Sequence, residues 1–219
     1  MRTFTVRSLI AVTIAVFGIS LAPAQTPTTA SMVAEGAQVR QLADGFVFTE
    51  GPAVAPNGDV YFSDNRDNKV YRWDVREEKL SVYMPDSGDV NGIDFGPDGR
   101  MYICQIRERR IAVVDMATST VTGIVDRYGG GRFNDTNDLW VSPTGAIYFT
   151  DPAYELRRGQ QSEVGGRFVY FIPAGASEAK RVEGDYVRPN GIVGTADGRL
   201  LYVADIEANV TYDYDLADD

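Results

Sequence analysis

Beyond residue 36 the chain alternates short apolar runs with glycine-centred breaks, and one arrangement of the two recurs four times. "EGPAVAPNGDVYFSD", "NGIDFGPDGRMYICQ", "NDLWVSPTGAIYFTD" and "NGIVGTADGRLLYVAD" each join an apolar segment, a break ending in Gly, a second apolar segment and a polar closing residue. Counted from the opening residues Glu50, Asn91, Asn137 and Asn190, a glycine falls eight positions later every time, at Gly58, Gly99, Gly145 and Gly198. A tyrosine falls eleven later in three copies (Tyr61, Tyr102, Tyr148) and twelve later in the fourth (Tyr202). Asp64, Gln105 and Asp151 close their copies at fourteen, and Asp205 closes the last at fifteen. The fourth copy thus holds one extra residue after its glycine, read as Leu200 or Leu201. Short apolar runs around such a break predict a strand, a tight hairpin and a strand.

Further strand-like runs follow each hairpin: "KVYRWDV", "RIAVVDM", "RFVYFIP" and "VTYDYDL". Each unit of roughly 40–50 residues therefore predicts about four antiparallel strands, the pattern of a propeller blade. Helical periodicity is absent from this region, so the predicted class is all-β. The glycines are expected to supply positive φ in the hairpins, and the tyrosines to pack between adjacent blades. The closing residues have two readings: hydrogen bonds to turn backbone, or a place in the central channel.

The opening register carries the candidate chemistry. In a propeller the innermost strand of every blade starts at one rim of the channel, so residues at one register converge although they are distant in sequence. Glu50, Asn137 and Asn190 are oxygen donors at that register and predict a ring suited to a hard cation. Asn91 shares the register, but Asn is also a common turn residue, and there the two readings stand level.

The N-terminus is a separate object. Arg2 and Arg7 flank an apolar run from Leu9 to Leu21, followed by Ala22-Pro23-Ala24. That order predicts a secretory signal peptide over residues 1–24, a leader over 25–36 and a partial propeller over 37–219. A membrane anchor is the weaker reading, since a span needs about 20 apolar residues. Export to the periplasm or the exterior follows, with no membrane association after cleavage.

Composition narrows the chemistry further. The 219 residues hold no histidine and one cysteine, Cys104. The absence of histidine excludes Ser-His-Asp and Cys-His catalysis and any His-ligated zinc or iron site. One cysteine excludes an internal disulfide, and its apolar neighbours in "MYIC" place it in the core. Lys and Arg number 21 against 31 Asp and Glu, a net charge of −10. Such a chain repels phosphate backbones and anionic lipid, which argues against nucleic acid as a partner and favours cations.

With these residues in view, "FTEGPAVAPNGDVYFSD", "RFNDTNDLWVSPTGAIYFTDP" and "RPNGIVGTADGRLLYVAD" resemble the SMP-30/gluconolactonase/luciferin-regenerating-enzyme family, in its gluconolactonase-like branch. The likeness runs from about Gly45 to Leu216. It implies a six-bladed propeller, of which about four blades are present, with a divalent metal in the central channel, usually calcium. By the same likeness Glu50 matches a glutamate ligand, Asn190 an asparagine ligand, and Asn137 an asparagine facing both metal and substrate. The "RFNDTND" segment would bring Arg132 and Asn134 to the channel mouth as substrate contacts, beside Asn91. The family's aspartate ligand and proton carrier, in a fifth-blade D-G motif, has no counterpart before Asp219. On this reading the catalytic residue lies beyond residue 219 and the chain is the N-terminal part of a longer protein. A complete four-bladed propeller is the other possibility.

The resemblance implies a calcium-dependent hydrolase that opens a sugar lactone. Two alternatives stay open: another metal-dependent esterase or phosphotriesterase-like hydrolase, and a non-catalytic propeller that binds a ligand or protein on its rim.

Overall fold

The computed structural model of the chain describes residues 34, 36–154 and 161–216. The signal peptide expected over residues 1–24 lies outside them. The chain divides into two units, Met1–Leu42 and Ala43–Asp219, and every strand among the described residues belongs to the second. No helix among those residues is long and apolar enough to cross a membrane; one 3-10 turn, Asn65–Asp67, interrupts the strands.

The four copies of the repeat become four antiparallel sheets. Blade one is β1 (Thr49–Val54), β2 (Val60–Asp64), β3 (Lys69–Asp74) and β4 (Lys79–Met84). Blade two is β5 (Val90–Phe95), β6 (Met101–Gln105), β7 (Arg110–Asp115) and β8 (Thr120–Val125). A two-stranded ribbon, β9 (Arg127–Tyr128) and β10 (Gly131–Arg132), precedes blade three, which is β11 (Leu139–Val141), β12 (Ile147–Asp151), β13 (Phe168–Ile172) and β14 (Lys180–Val182). Blade four shows β15 (Pro189–Gly194), β16 (Leu200–Asp205) and β17 (Val210–Asp215). Each blade is a simple meander in sequence order, and the first strands β1, β5, β11 and β15 lie side by side in that order. The fold is therefore all-β, with the four-blade propeller arrangement that the repeat predicts.

The repeat positions have clear physical duties. Gly58, Gly99, Gly145 and Gly198 sit at φ of 91°, 75°, 89° and 72° in the hairpins, a region that only glycine enters without steric cost. In the first three hairpins the backbone closes between residues four apart, as in Ala55 N–H to Asp59 C=O. In the fourth it closes between Thr195 and Leu200. The extra residue therefore sits in the turn as Arg199, just after the glycine, and not among the leucines.

Tyr61, Tyr102 and Tyr148 are buried where successive blades meet. Tyr61, for example, packs against Phe95 of blade two with ring centroids 5.5 Å apart. Tyr202 differs: it is 38% exposed, on a face of blade four that no described strand covers.

The closing residues bond turn backbone. Asp64 accepts the N–H groups of Val47 and Phe48, both at 2.8 Å. Asp151 accepts those of Asn134 and Asp135 at 2.9 and 2.8 Å, and Asp205 those of Val187 and Arg188 at 2.7 and 2.9 Å. Gln105 does the converse, donating from Nε2 to the Ser87 carbonyl at 2.6 Å. Each of the four staples the segment that leads into its own blade's innermost strand, and so fixes where the opening residue stands. Cys104 is fully buried, as its neighbours suggest.

Candidate metal centre

Glu50, Asn91, Asn137 and Asn190 line one cavity of about 370 Å³ between the innermost strands. A local irregularity turns them there. Pairing of β1 with β2 shifts register between Glu50 and Ala53, that of β5 with β6 between Val90 and Ile93, and that of β15 with β16 between Pro189 and Ile192. In blade three Thr150 bonds both members of a pair, taking the Asn137 N–H at 2.9 Å and giving its own to the Asp138 carbonyl at 3.0 Å. Two residues facing one is a β-bulge, which bends the strand and re-aims a side chain. One bulge per blade, at the opening register, explains why four separate strands aim at one space.

Neighbouring blades hold these residues in place by their backbones. Ser63 Oγ donates to the Asn91 carbonyl at 2.8 Å, and Thr150 Oγ1 to the Asn190 carbonyl at 2.7 Å. The Asn137 carbonyl takes the Gly92 N–H at 2.8 Å. Such close approach needs glycine after the ring residue. A Cβ on Gly51 would stand 2.3 Å from the Asn91 carbonyl oxygen, and one on Gly92 would stand 2.7 Å from Asp138 Cα.

The cavity is electrostatically unbalanced toward negative charge. Burial raises the Glu50 carboxyl above its ordinary range, against a pull downward from the Gly51 N–H. Burial pushes Asp138 up to about 6, and the carboxylates of Glu50 and Asp94 push it further in that direction. Asp94 is also raised by burial. All three line the cavity. A cation there would relieve the desolvation of each.

The residues present fit a hard cation. Asn91 and Asn137 are only 7% and 5% exposed, yet their side-chain amides make no hydrogen bond among the described residues. The two amides open on the cavity beside the half-buried Glu50 carboxylate, so their oxygens are available to a ligand there. Amide and carboxylate oxygens are the donors calcium prefers. No cluster of three or more His, Cys, Asp or Glu able to share an ion occurs among the described residues; this ring draws on asparagine instead.

Arg132 and Asn134 are not brought to this cavity. Arg132 lines a separate cleft with Arg107 and Arg110 and donates from Nη2 to the Glu108 carbonyl. Asn134 is 3% exposed, its Nδ2 shared between Asp151 Oδ2 and the Gly166 carbonyl, both at 2.9 Å. Conversely, Asp94, Asp138 and Tyr154 belong to this region without being marked by the repeat. Asp94 Oδ2 accepts the Val141 N–H and Tyr154 Oη accepts from Asn190 Nδ2 at 3.0 Å. Asp138 stands one place after its opening residue and Asp94 three places after, so no shared register marks them.

Comparison with known proteins agrees with this architecture. Residues 48–219 match the family described as SMP-30/Gluconolactonase/LRE-like region. A curated gluconolactonase of Zymomonas mobilis is 32% identical over 185 residues, covering 76% of this chain and 51% of the relative. The chain thus spans about half the length of that protein. A solved gluconolactonase from Xanthomonas campestris is 29% identical, with a TM-score of 0.74 over 81% of this chain and 61% of the other. A regucalcin from Agrobacterium tumefaciens, named as a calcium-binding protein, shares the fold at 18% identity and a TM-score of 0.63, covering 80% of this chain and 57% of that one.

Proposed function

The chain belongs to the SMP-30/gluconolactonase/LRE-like family, and on that premise we propose that it serves a calcium-dependent lactonase that opens sugar lactones. The observation that carries this reading is the pair of amides at Asn91 and Asn137, without hydrogen bonds among the described residues, that line one cavity with the half-buried carboxylate of Glu50. The likeness to gluconolactonases supports the reaction class.

Glu50, Asn137 and Asn190 would hold the cation through one carboxylate and two amide oxygens. When bound, a divalent ion polarises an ester carbonyl and stabilises the oxyanion that forms on attack by water. The chain's own residues supply position and environment. Glu50, the one anion among the three donors, fixes the charge. Asn91 and Asn137 have N–H groups to donate to the hydroxyls of a sugar lactone. Leu139, Trp140 and Ile192 give the same cavity an apolar wall that limits water around the reacting carbonyl.

Water attack also needs a base. The other carboxylates of the cavity are engaged with backbone. Asp94 accepts from Phe95 and Val141, and Asp138 from Leu139 and Ile192. Both act as clamps rather than as the base.

The test is hydrolysis of a panel of aldonolactones by the purified full-length protein, followed by acid release, with aryl and phosphate esters in parallel. Turnover should be lost in EDTA and restored by calcium. Undiminished turnover in chelator would remove the metal, and inactivity on every lactone in saturating calcium would remove the reaction.

A further inference from the structure

We propose that Tyr154 is a positioning residue for Asn190, holding that side chain so that its amide oxygen is the edge offered to the cavity. The proposal rests on the reading of the ring as a cation site. Asn190 belongs to β15 of blade four, whereas Tyr154 follows β12 of blade three. Across that seam Asn190 Nδ2 donates to the tyrosine hydroxyl at 3.0 Å. An asparagine amide presents an NH2 edge and an oxygen edge on opposite sides. Once the nitrogen is committed to the phenol, the oxygen faces the other way.

The restraint matters because of what else lines the cavity. Glu50, Asp94 and Asp138 surround it with carboxylates. An unrestrained amide in that field would turn its NH2 edge toward the negative charge, the wrong edge for holding a cation. Tyr154 takes up the NH2 group first. Asn91 and Asn137 have no such partner among the described residues, so the ring contains one amide set in advance and two that are free to adjust.

Tyr154 is itself anchored. The Arg188 guanidinium lies 5.2 Å from the centre of its ring. Arg188 in turn pairs with Glu207 at 3.0 Å, and its backbone N–H is held by Asp205 at 2.9 Å. The phenol therefore stands on blade four's own framework although blade three supplies it. Partners one step removed from a metal ligand fix its orientation, and losing one typically costs about 10–100-fold in metal affinity.

The test is the calcium affinity of the metal-stripped full chain, measured by calorimetry for the wild type, Tyr154→Phe, Asn190→Ala, Glu50→Gln and the Tyr154→Phe/Asn190→Ala double variant. Phenylalanine keeps the ring beneath Arg188 and removes only the hydroxyl. Tyr154→Phe should weaken calcium by about tenfold, with an unchanged thermal midpoint in chelator. It should add little in the Asn190→Ala background, where no amide remains to be oriented. An unchanged affinity in Tyr154→Phe, or an equal loss with and without Asn190, would overturn the proposal. If Glu50→Gln and Asn190→Ala weaken calcium while Tyr154→Phe does not, only the positioning role fails. If none of the three has an effect, the cation site itself fails.

Discussion

Across the seam between blades three and four, Asp138 Oδ2 accepts the backbone N–H of Ile192 at 3.0 Å. One seam earlier, Asp94 Oδ2 accepts the backbone N–H of Val141 at 2.8 Å. Asp94 sits on the innermost strand of its blade and Asp138 just before that of its own, and each grips the innermost strand of the next blade. The ring of opening residues is therefore spaced by side-chain clamps as well as by sheet packing, and the clamps stand in the wall of the cavity that they shape.

Removing a clamp should cost stability. Asp94→Ala leaves the Val141 N–H without its partner, a loss of about 1–3 kcal/mol. Asp94→Asn keeps one of the two oxygen acceptors that hold Phe95 and Val141 and removes a charge that burial disfavours, so its loss should be smaller than that of alanine. Urea denaturation of the three proteins measures both values. Equal losses for alanine and asparagine would deny the hydrogen bond its role.

Glu50 is the one anion among the three donors proposed to hold the cation. Glu50→Gln keeps the shape and an oxygen donor but removes the charge. Calcium affinity should fall by at least about tenfold, equivalent to about 1.4 kcal/mol, while the thermal midpoint in chelator holds or rises because a half-buried charge is gone. Calorimetric titration gives the first value and a melting curve the second.

The Asp151 carboxyl gives the pH dependence a definite sign. Burial raises it from 3.8 to about 7, although the Asn134 and Asp135 N–H groups pull the other way. The folded chain thus binds this proton more tightly than the unfolded chain does. The group's contribution to stability is complete below about pH 4 and is lost as pH rises toward 7. Asp151→Asn lacks the titration, so the stability of wild type relative to this variant should fall across that window and level off above it. A relative stability that rises between pH 4 and 7 would contradict the assignment.

Much of this molecule is written in a single register. Four glycines at offset eight become four hairpins with positive φ, and four oxygen-bearing residues at offset zero become the wall of one cavity. These were legible because every blade repeats the same demand at the same place. The closing residues were half legible: their position was plain, but only the structure chose turn backbone over channel. Asp94, Asp138 and Tyr154 were not legible, because each meets a need particular to one seam. Arg132 and Asn134 depend on the path of the β9–β10 ribbon, which no periodic pattern specifies. Tyr202 follows the repeat in sequence yet is exposed, since burial at that register comes from the neighbouring blade and not from the residue itself.

The N-terminal segment carries its own prediction. Residues 1–24 read as an export signal, with cleavage after Ala24. Mass spectrometry of the protein recovered from the producing cell should find Gln25 at the N-terminus in the periplasmic or external fraction. A cell-associated chain retaining Met1 to Ala24 would refute export by cleavage.

Crystallography would show whether oxygen atoms from separate blades meet around one cation. Crystals of the protein grown with calcium should show an anomalous peak in the cavity, with the Glu50 carboxylate and the Asn137 and Asn190 amide oxygens at about 2.3–2.6 Å from it. A cavity without that peak at saturating calcium, or a peak bound by other residues, would rule out this ring as the cation site.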